Sequence, residues 1–352
     1  MIVLYVIVGL SILILVHELG HFFAAKIFGV KVKEFGLGYP PRIFSKKYGE
    51  TEYSINALPF GGFVKIHGED AVSIDKSDPD YKRSFAYQKP WKRSVIILAG
   101  VFMNILLGWF LLSIVFMVGA PKHLGVASVI EKSPAAEVGI EASDIIVGLE
   151  TNNKSLSDPI SVDDFIDVIN KNKGEKVTLS IQRGEEIFRK KVLARENPPK
   201  GEGSLGVALV DMGIEKRGFL GSIFYGIKTT GSILKRVAIG FYKIITGIFT
   251  NPKIVKNVAG PIGIFMITKQ TGSVGFIYLV QFIALISLNL VILNSLPFPA
   301  LDGGRFLFIL IEKIKGSPVS RKLQAGINVT GFLLLIILMI LVTIKDITNF
   351  IL

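Results

Sequence analysis

His17-Glu18-Leu19-Gly20-His21 lies near the end of an apolar stretch that runs from Met1 to about Ala25, and this combination decides the fold. About 20 apolar residues are enough to cross a bilayer as a helix. Positions i and i+4 share one helix face, so both imidazoles can reach one metal ion, with Glu18 placed to act on a nearby water molecule. His17 would lie about 24 Å along the helix, inside the hydrocarbon, where ionisable groups are costly and mostly functional. The alternative, two histidines at a membrane surface, leaves the fixed spacing of the three side chains unexplained.

Three more segments are apolar over about the same length. They cover about Ser94–Val118, Gly275–Leu296 and Gly326–Thr343. A further segment, about Phe219–Phe249, carries four basic residues, and this mixture favours an amphipathic helix on the membrane surface. The first span has neither a basic leader nor a small-residue cleavage site, so we expect it to be retained. The sequence therefore predicts an α-helical polytopic membrane protein with four transmembrane helices.

The basic residues indicate how these spans are oriented. The formal net charge is +12, and Lys and Arg are concentrated at about 26–93 and between the third and fourth spans. Both loops should be cytoplasmic, because short cytoplasmic loops collect positive charge. The termini and the middle region, about 121–270, are then predicted to lie outside the cytoplasm. No nucleic-acid-binding motif accompanies the charge, so the predicted partner is the lipid bilayer and not a nucleic acid.

A third metal ligand has to come from elsewhere in the chain, since a catalytic zinc site has three protein ligands and one open position. Cysteine is absent, which leaves His, Asp or Glu. Asp302 is the strongest candidate, because Pro297 and Pro299 break the third span before it and two glycines follow it. Broken membrane helices occur where they line a water-filled cavity. The alternative role for Asp302 is N-cap of a helix at Arg305–Ile314.

The middle of the chain is predicted to form a small soluble domain. We expect short strands at Val126–Ile130, Ile145–Leu149, Val177–Gln182 and Phe188–Val192, with a helix near Val162–Asn172. Ser133–Ile140, followed by Ser143-Asp144-Ile145-Ile146, resembles a PDZ domain, with Ser143 where Gly is usual. PDZ domains bind peptides, often a C-terminus, by strand addition. The alternative is a generic small β domain.

The predicted domains follow from these segments. They are an N-terminal membrane half at 1–120, a PDZ domain at 121–198, a linker with the amphipathic helix at 199–271, and a C-terminal membrane half at 272–352.

Nearly the whole chain resembles the site-2 protease family of intramembrane zinc metalloproteases, most closely the bacterial regulator-of-sigma-E protease type. The resemblance is carried by the HELGH motif and by the run from Asn294 to Gly304, which contains Leu301-Asp302-Gly303. Weaker matching blocks are Phe35–Gly38 with Pro40-Pro41, Leu58–Lys65 and Gly260–Gly263.

The resemblance implies a zinc cofactor bound by His17, His21 and Asp302, with Glu18 as the base. It implies a membrane-dipping β-hairpin at Pro59–Ile66, which can pair with substrate as an added strand. Residues implied to bind substrate are Gly61, Gly62, Phe63, Val64, Asn289 and Asn294.

The implied activity is hydrolysis of peptide bonds within transmembrane segments of single-span membrane proteins, often after another protease has removed the outer domain. An anti-sigma factor or a leftover signal peptide would be such a substrate. The implied location is the bacterial inner membrane, with the active site near the cytoplasmic side, the PDZ domain and both termini outside, and oversized substrates excluded by the PDZ domain.

Two departures from the family pattern stand out: a single PDZ domain where many relatives carry two, and Arg305 where many have His. His67 and His123 lack metal-ligand spacing and are expected at the surface. The competing functional hypothesis is a catalytically inactive membrane PDZ scaffold or chaperone. A transporter would show paired broken helices in two repeated halves, and the sequence contains no such repeat.

Overall fold

The computed structural model describes residues 2–69, 77–120, 122–142, 144–152, 154–158, 160–184, 186–199, 201–247, 260–317 and 319–350. The chain forms two compact units. The membrane unit contains Met1–Ser113, Ile223–Lys269 and Leu279–Leu352, and the sheet unit contains Ile114–Ser222 and Gln270–Tyr278.

Long apolar helices dominate the membrane unit. The helices that form or enter it are α1 (Ile2–Ile27), α2 (Pro90–Val118), α5 (Phe219–Gly247), α6 (Pro261–Val274), α7 (Phe276–Ser295), α8 (Asp302–Lys315) and α9 (Arg321–Phe350).

Four helices among the described residues are long and apolar enough to cross a membrane, as predicted. Their spans are Ile7–Ile27, Pro90–Val118, Phe276–Ser295 and Lys322–Thr348. Only 11% of the apolar window of the fourth span is buried within the protein, so its remaining apolar surface requires lipid around it. The chain is therefore a multi-pass membrane protein.

Two long strands between α1 and α2 form a bent hairpin, β1 (Val32–Tyr48) and β2 (Thr51–Ile66). The first part of β1 pairs on both of its sides: Phe35 lies opposite Val64 on one side and Tyr53 on the other. The hairpin is thus folded back on itself, with the segments in the order 42–48, 51–56, 32–37 and 62–66. The last segment, 62–66, is an edge, and this edge lies against α1.

The third span ends where the sequence predicts a break. Helix α7 ends at Ser295, residues 296–301 are not helical, and α8 begins at Asp302. The helix after the break is longer than the predicted Arg305–Ile314, and its N-cap is Leu301, so the proposed N-cap role of Asp302 is wrong. Helix α6 was not predicted, because its stretch of 14 residues is too short to be recognised as a span. The predicted amphipathic helix is present as α5, and residues 248 and 249 lie outside the described residues.

The sheet unit is built on one antiparallel sheet with the strand order β7-β6-β4-β3-β8, and β5 pairs with β4. Its elements are β3 (Leu124–Val129), α3 (Pro134–Glu137), β4 (Ile145–Glu150), β5 (Ser155–Ser157), α4 (Val162–Lys171), β6 (Lys176–Arg183), β7 (Glu186–Leu193) and β8 (Val207–Asp211). The four predicted strands and the predicted helix are all present. Phe165 of α4 packs into a core of Leu, Ile and Val side chains from the sheet.

One strand of the sheet was not predicted, and it lies after residue 198, the predicted end of the domain. Strand β8 lies beyond it and pairs with β3 along five positions, from Leu124 opposite Asp211 to Val129 opposite Val207. Short-range patterns could not assign these residues, because their strand partner is about 80 residues earlier in the chain. Ser143, which belongs to the predicted PDZ signature, lies outside the described residues.

Candidate metal centre

Three side chains from two helices meet inside the membrane unit. Helix α1 supplies His17 and His21, and Asp302 is the first residue of α8. The Oδ2 atom of Asp302 lies 3.0 Å from Nε2 of His17 and 3.3 Å from Nε2 of His21. The two Nε2 atoms are 3.2 Å apart, and both histidines are only 8% exposed. The predicted grouping of these residues, more than 280 positions apart in the chain, is present.

Glycines let the backbones approach closely enough to build this group. A Cβ atom on Gly20 would lie 2.3 Å from the carbonyl oxygen of Ala99, so α1 and α2 touch through their backbones there. A Cβ atom on Gly100 would lie 2.5 Å from Nε2 of His21 and 2.8 Å from Cε1 of His17. Small residues at such contacts are typical of packed membrane helices. The histidine pair therefore fits only because α2 has no side chain at position 100.

The two glycines after Asp302 also allow close backbone packing, here between α8 and the segment that precedes it. A Cβ atom would lie 2.2 Å from the carbonyl oxygen of Leu296 at Gly303, and 2.2 Å from that of Phe298 at Gly304. The non-helical segment 296–301 therefore packs tightly on the first turn of α8. This contact holds Asp302 at the depth of the two histidines.

The donor set fits a zinc ion. Zinc in proteins is tetrahedral, with bonds of about 2.0–2.2 Å to nitrogen and oxygen, so its ligand atoms lie about 3.3–3.5 Å apart. The three donor–donor distances of 3.0, 3.2 and 3.3 Å are close to this spacing. Oδ2 of Asp302 is also buried without a hydrogen-bond donor. A buried carboxylate oxygen facing two imidazole nitrogens needs a cation between them.

The outer nitrogens of both imidazoles are held by α2. Nδ1 of His21 lies 2.9 Å from the carbonyl oxygen of Ile96, to which it donates, so Nε2 of the neutral ring keeps its lone pair for the centre. Nδ1 of His17 lies 3.3 Å from the side-chain amide of Asn104, which is fully buried. Ile96, Gly100 and Asn104 were not predicted as part of the site. An asparagine in the middle of a predicted span was the available signal.

Glu18 contacts the β-hairpin. Its Oε2 accepts a hydrogen bond of 3.1 Å from the backbone N–H of Val64, on the edge of the hairpin sheet. Cβ atoms on Gly61 and Gly62 would contact Ile14 and Leu15 of α1, so the edge strand lies directly on the helix that carries Glu18. Phe63 lies opposite Gly36 within the sheet. The hairpin edge that contains these four residues, predicted to bind substrate, thus lies along the part of α1 that carries Glu18.

The two predicted asparagines occupy different environments on α7. Asn289 is exposed, and its amide donates to the carbonyl oxygen of Leu285 in the same helix, at 2.8 Å. Asn294 lies one residue before the end of α7 and is half-buried. Its side-chain amide forms no hydrogen bond with any described residue. Asn294 is therefore the better placed of the two to bind an added chain.

The remaining histidines are separate from the centre. His67 is 5% exposed and lies 3.4 Å from Asp78, so the prediction that it is a surface residue is wrong. The chain around it explains this burial, because its backbone pairs with Lys31 and Phe85. His123 is partly buried and lies 2.9 Å from Asp158. Within the described part of the chain, His17, His21 and Asp302 form the group of three that is suited to a metal.

Arg305, the second predicted departure from the family pattern, has a structural partner. Its guanidinium donates to Oε1 of Glu69 at 2.5 Å. This bond connects α8, close to Asp302, with the residues that follow the hairpin.

Comparisons with known proteins agree with this chemistry. The model of peptidase family M50 matches residues 5–338. A Clostridium perfringens protein, named provisionally as a zinc metalloprotease, is 37% identical and covers 99% of this chain and 98% of its own length. A Synechocystis protein with the same provisional name is 34% identical over 97% of this chain and 93% of its own. The regulator of sigma-W protease RasP of Bacillus subtilis is 28% identical over 95% of each chain.

Proposed function

Since this chain belongs to peptidase family M50 and is a zinc metalloprotease, we propose that it hydrolyses peptide bonds within the transmembrane segments of single-span membrane proteins. One observation carries this proposal. The donor atoms of His17, His21 and Asp302 lie within 3.3 Å of one another. The two histidines belong to a membrane span, and Asp302 begins the helix that follows another span. A peptide bond has to enter the membrane unit to reach them.

Each residue of the centre has a proposed role. His17, His21 and Asp302 hold the zinc ion through Nε2, Nε2 and Oδ2. Zinc, when bound, supplies a Lewis acid that activates water and polarises the scissile carbonyl. Glu18 takes the proton from the attacking water and passes it to the leaving amine. The non-helical segment 296–301 gives water access, because irregular backbone inside a membrane occurs where it lines a cavity.

The substrate helix has to unwind before cleavage, because its carbonyl groups are engaged in helical hydrogen bonds. We place the unwound segment on the hairpin edge formed by Gly61, Gly62, Phe63 and Val64. The N–H of Val64 points away from β1 and toward Glu18, so a strand added at this edge would lie beside the proposed base. The amides of Asn294 and Asn289 would donate further hydrogen bonds to the unwound backbone.

The sheet unit is proposed to be a PDZ domain that binds a peptide C-terminus. A cavity of about 320 Å³ lies between α4 and β8 and is lined mainly by apolar side chains, among them Phe165, Ile169 and Leu209. In the described sheet β8 is a terminal strand, so its outer edge is available to an added strand. We propose that this domain covers 121–211, followed by a linker and the amphipathic helix α5, between the two membrane halves.

The proposed location is a bacterial inner membrane. Lys and Arg are concentrated in 26–93 and after the third span, which supports cytoplasmic loops there. The sheet unit and both termini are therefore proposed to lie outside the cytoplasm. The Bacillus subtilis relative is named as a regulator of sigma-W protease. By analogy, we propose an anti-sigma factor or a remnant signal peptide as the substrate class.

The test is cleavage of a single-span membrane protein reconstituted in vesicles with the purified full chain. The wild type should hold one zinc ion and cut within the span, while Glu18→Gln should hold the same zinc and release no fragment. Glu202→Gln, a carboxylate of the sheet unit, serves as the matched control and should cut normally. Cleavage by Glu18→Gln at the wild-type rate would exclude Glu18 as the base. A wild type that holds zinc and cuts no membrane substrate would instead favour the inactive scaffold.

A further inference from the structure

Asn104 is a polar side chain with an unusual position. It lies in the middle of the membrane-crossing helix α2 and is fully buried. Its Nδ2 is 3.3 Å from Nδ1 of His17, and its Oδ1 is buried without a hydrogen-bond partner. A buried amide oxygen without a donor costs about 1–3 kcal/mol, so its neighbourhood needs a physical explanation.

The chemistry of His17 provides this explanation. An imidazole that binds a metal through Nε2 is neutral and carries its proton on Nδ1. Nδ1–H then needs an acceptor, whereas the amide presents its nitrogen, a second donor. The oxygen and nitrogen of an Asn side chain are assigned from hydrogen bonding, and a half-turn of the amide exchanges them. The half-turn gives His17 its acceptor and gives the buried Oδ1 a donor.

We propose that Asn104 is a positioning residue for zinc, with its Oδ1 accepting the Nδ1–H of His17. This inference rests on the proposed ligand set. The carbonyl oxygen of Ile96 has the same relation to His21, so α2 orients both histidine ligands. The hydroxyl of Ser287 donates to the backbone oxygen of Asn104 at 2.9 Å, which ties this level of α2 to α7. Of the two contacts that orient the histidines, only the one from Asn104 is a side chain and can be removed by mutation.

The experiment measures zinc affinity of the full chain in detergent by competition with a chelator. Asn104→Leu keeps the branching at Cγ but removes the acceptor, and should weaken zinc binding by about 10–100-fold, the range typical for loss of such an outer contact. Asn104→Asp restores an acceptor oxygen and should bind zinc at least ten times more tightly than Asn104→Leu. Ser287→Ala is the matched control, because it removes a buried hydroxyl whose hydrogen bond goes to the Asn104 backbone and not to its side chain or to His17, and its zinc affinity should equal that of the wild type.

Wild-type zinc affinity in folded Asn104→Leu would overturn the inference, as would equal weakening in Asn104→Leu and Ser287→Ala. If Asn104→Leu does not fold, Asn104→Ala removes the same acceptor and carries the same expectation. His17→Ala separates this inference from the proposed function. A His17→Ala variant that still holds zinc with wild-type affinity refutes the ligand set itself, whereas a normal Asn104→Leu beside a zinc-free His17→Ala refutes only the positioning role.

Discussion

Two carboxylates, Asp144 in the sheet unit and Asp302 in the membrane unit, have opposite arrangements. Asp144 in the sheet unit is 1% exposed and fully paired. It accepts bonds from Nε and Nη2 of Arg183, at 2.7 and 2.8 Å, and from the N–H of Glu141 at 2.9 Å. At the centre of the membrane unit, Oδ2 of Asp302 faces two imidazole nitrogens and has no hydrogen-bond donor.

The difference separates a structural role from a functional one. A carboxylate with all its bonds made stabilises the fold, because breaking one bond strands a charge. A carboxylate aimed at two neutral imidazole nitrogens lacks a partner until a proton or a metal ion lies between them. The membrane unit therefore retains at one point an arrangement that its own folding does not favour. Such a point is where a bound ion is expected.

The largest expected effect tests this contrast at Asp302. Asp302→Ala should remove a zinc ligand and reduce the rate of cleavage by at least about a thousandfold, the scale seen when an essential catalytic group is lost. The zinc-free variant should unfold at the same temperature as the zinc-free wild type, or higher, because the unpaired carboxylate is gone. Zinc content checks the loss of the ligand, and thermal unfolding with and without chelator checks the expected stability. A zinc-free Asp302→Ala that is markedly less stable would show that the carboxylate is structural.

The second largest effect is expected at Asp144, the paired carboxylate of the sheet unit. Asp144→Ala should lower the free energy of unfolding of the sheet unit by about 2–3 kcal/mol, because Arg183 loses both of its bonds to the carboxylate. Zinc content should not change. The free energy of unfolding is measured by denaturant unfolding of the full chain, monitored with a probe in the sheet unit. Arg189→Ala is the control, since its ion pair with Glu150 is long and exposed, and it should have little effect.

The third effect concerns the backbone N–H of Val64, which is polar, is not bonded to β1 and contacts Glu18. Val64→Pro removes this donor without breaking the hairpin ladder, because proline is accepted at strand edges where the N–H points outward. Cleavage of a membrane substrate should fall by about 10-fold, the value of one hydrogen bond worth about 1.4 kcal/mol. Val64→Ala keeps the N–H and should cut normally. Equal rates for the two variants would exclude strand addition at this position.

The smallest effect tests a paired carboxylate within the membrane unit, Glu34 of the hairpin. Burial alone would raise the pKa of Glu34, but hydrogen bonds from Lys65 and Ser54, with the charges of Lys65 and Arg42, lower it below its ordinary value. Its stabilising contribution is therefore present above the pKa of the unfolded chain, about 4.3, and is lost as the pH falls through the lower folded value. Glu34→Gln should lower the free energy of unfolding by about 1–2 kcal/mol at pH 7. The difference from the wild type should shrink at about pH 4 and below, and a constant difference would contradict the ionic role.

Much of the architecture followed from short-range patterns. The four spans were predicted because a bilayer demands about 20 apolar residues, a signal independent of tertiary contacts. The strands of the sheet unit follow from alternating apolar residues. The predicted break before Asp302 follows from two prolines, which cannot continue a helix. Strand β8 was not predicted, because it is defined by its pairing with β3, which lies about 80 residues earlier in the chain.

The sequence by itself predicted which residues would carry the chemistry, because HExxH spacing and a carboxylate at a broken span have few other uses in a membrane. Only the tertiary structure decided how those residues are held. Gly100 leaves the space for the histidine pair, Asn104 and Ile96 reach its outer nitrogens, and Val64 contacts Glu18. These contacts join segments far apart in the chain, and they depend on how closely the helices pack. No local pattern of residues encodes such distances.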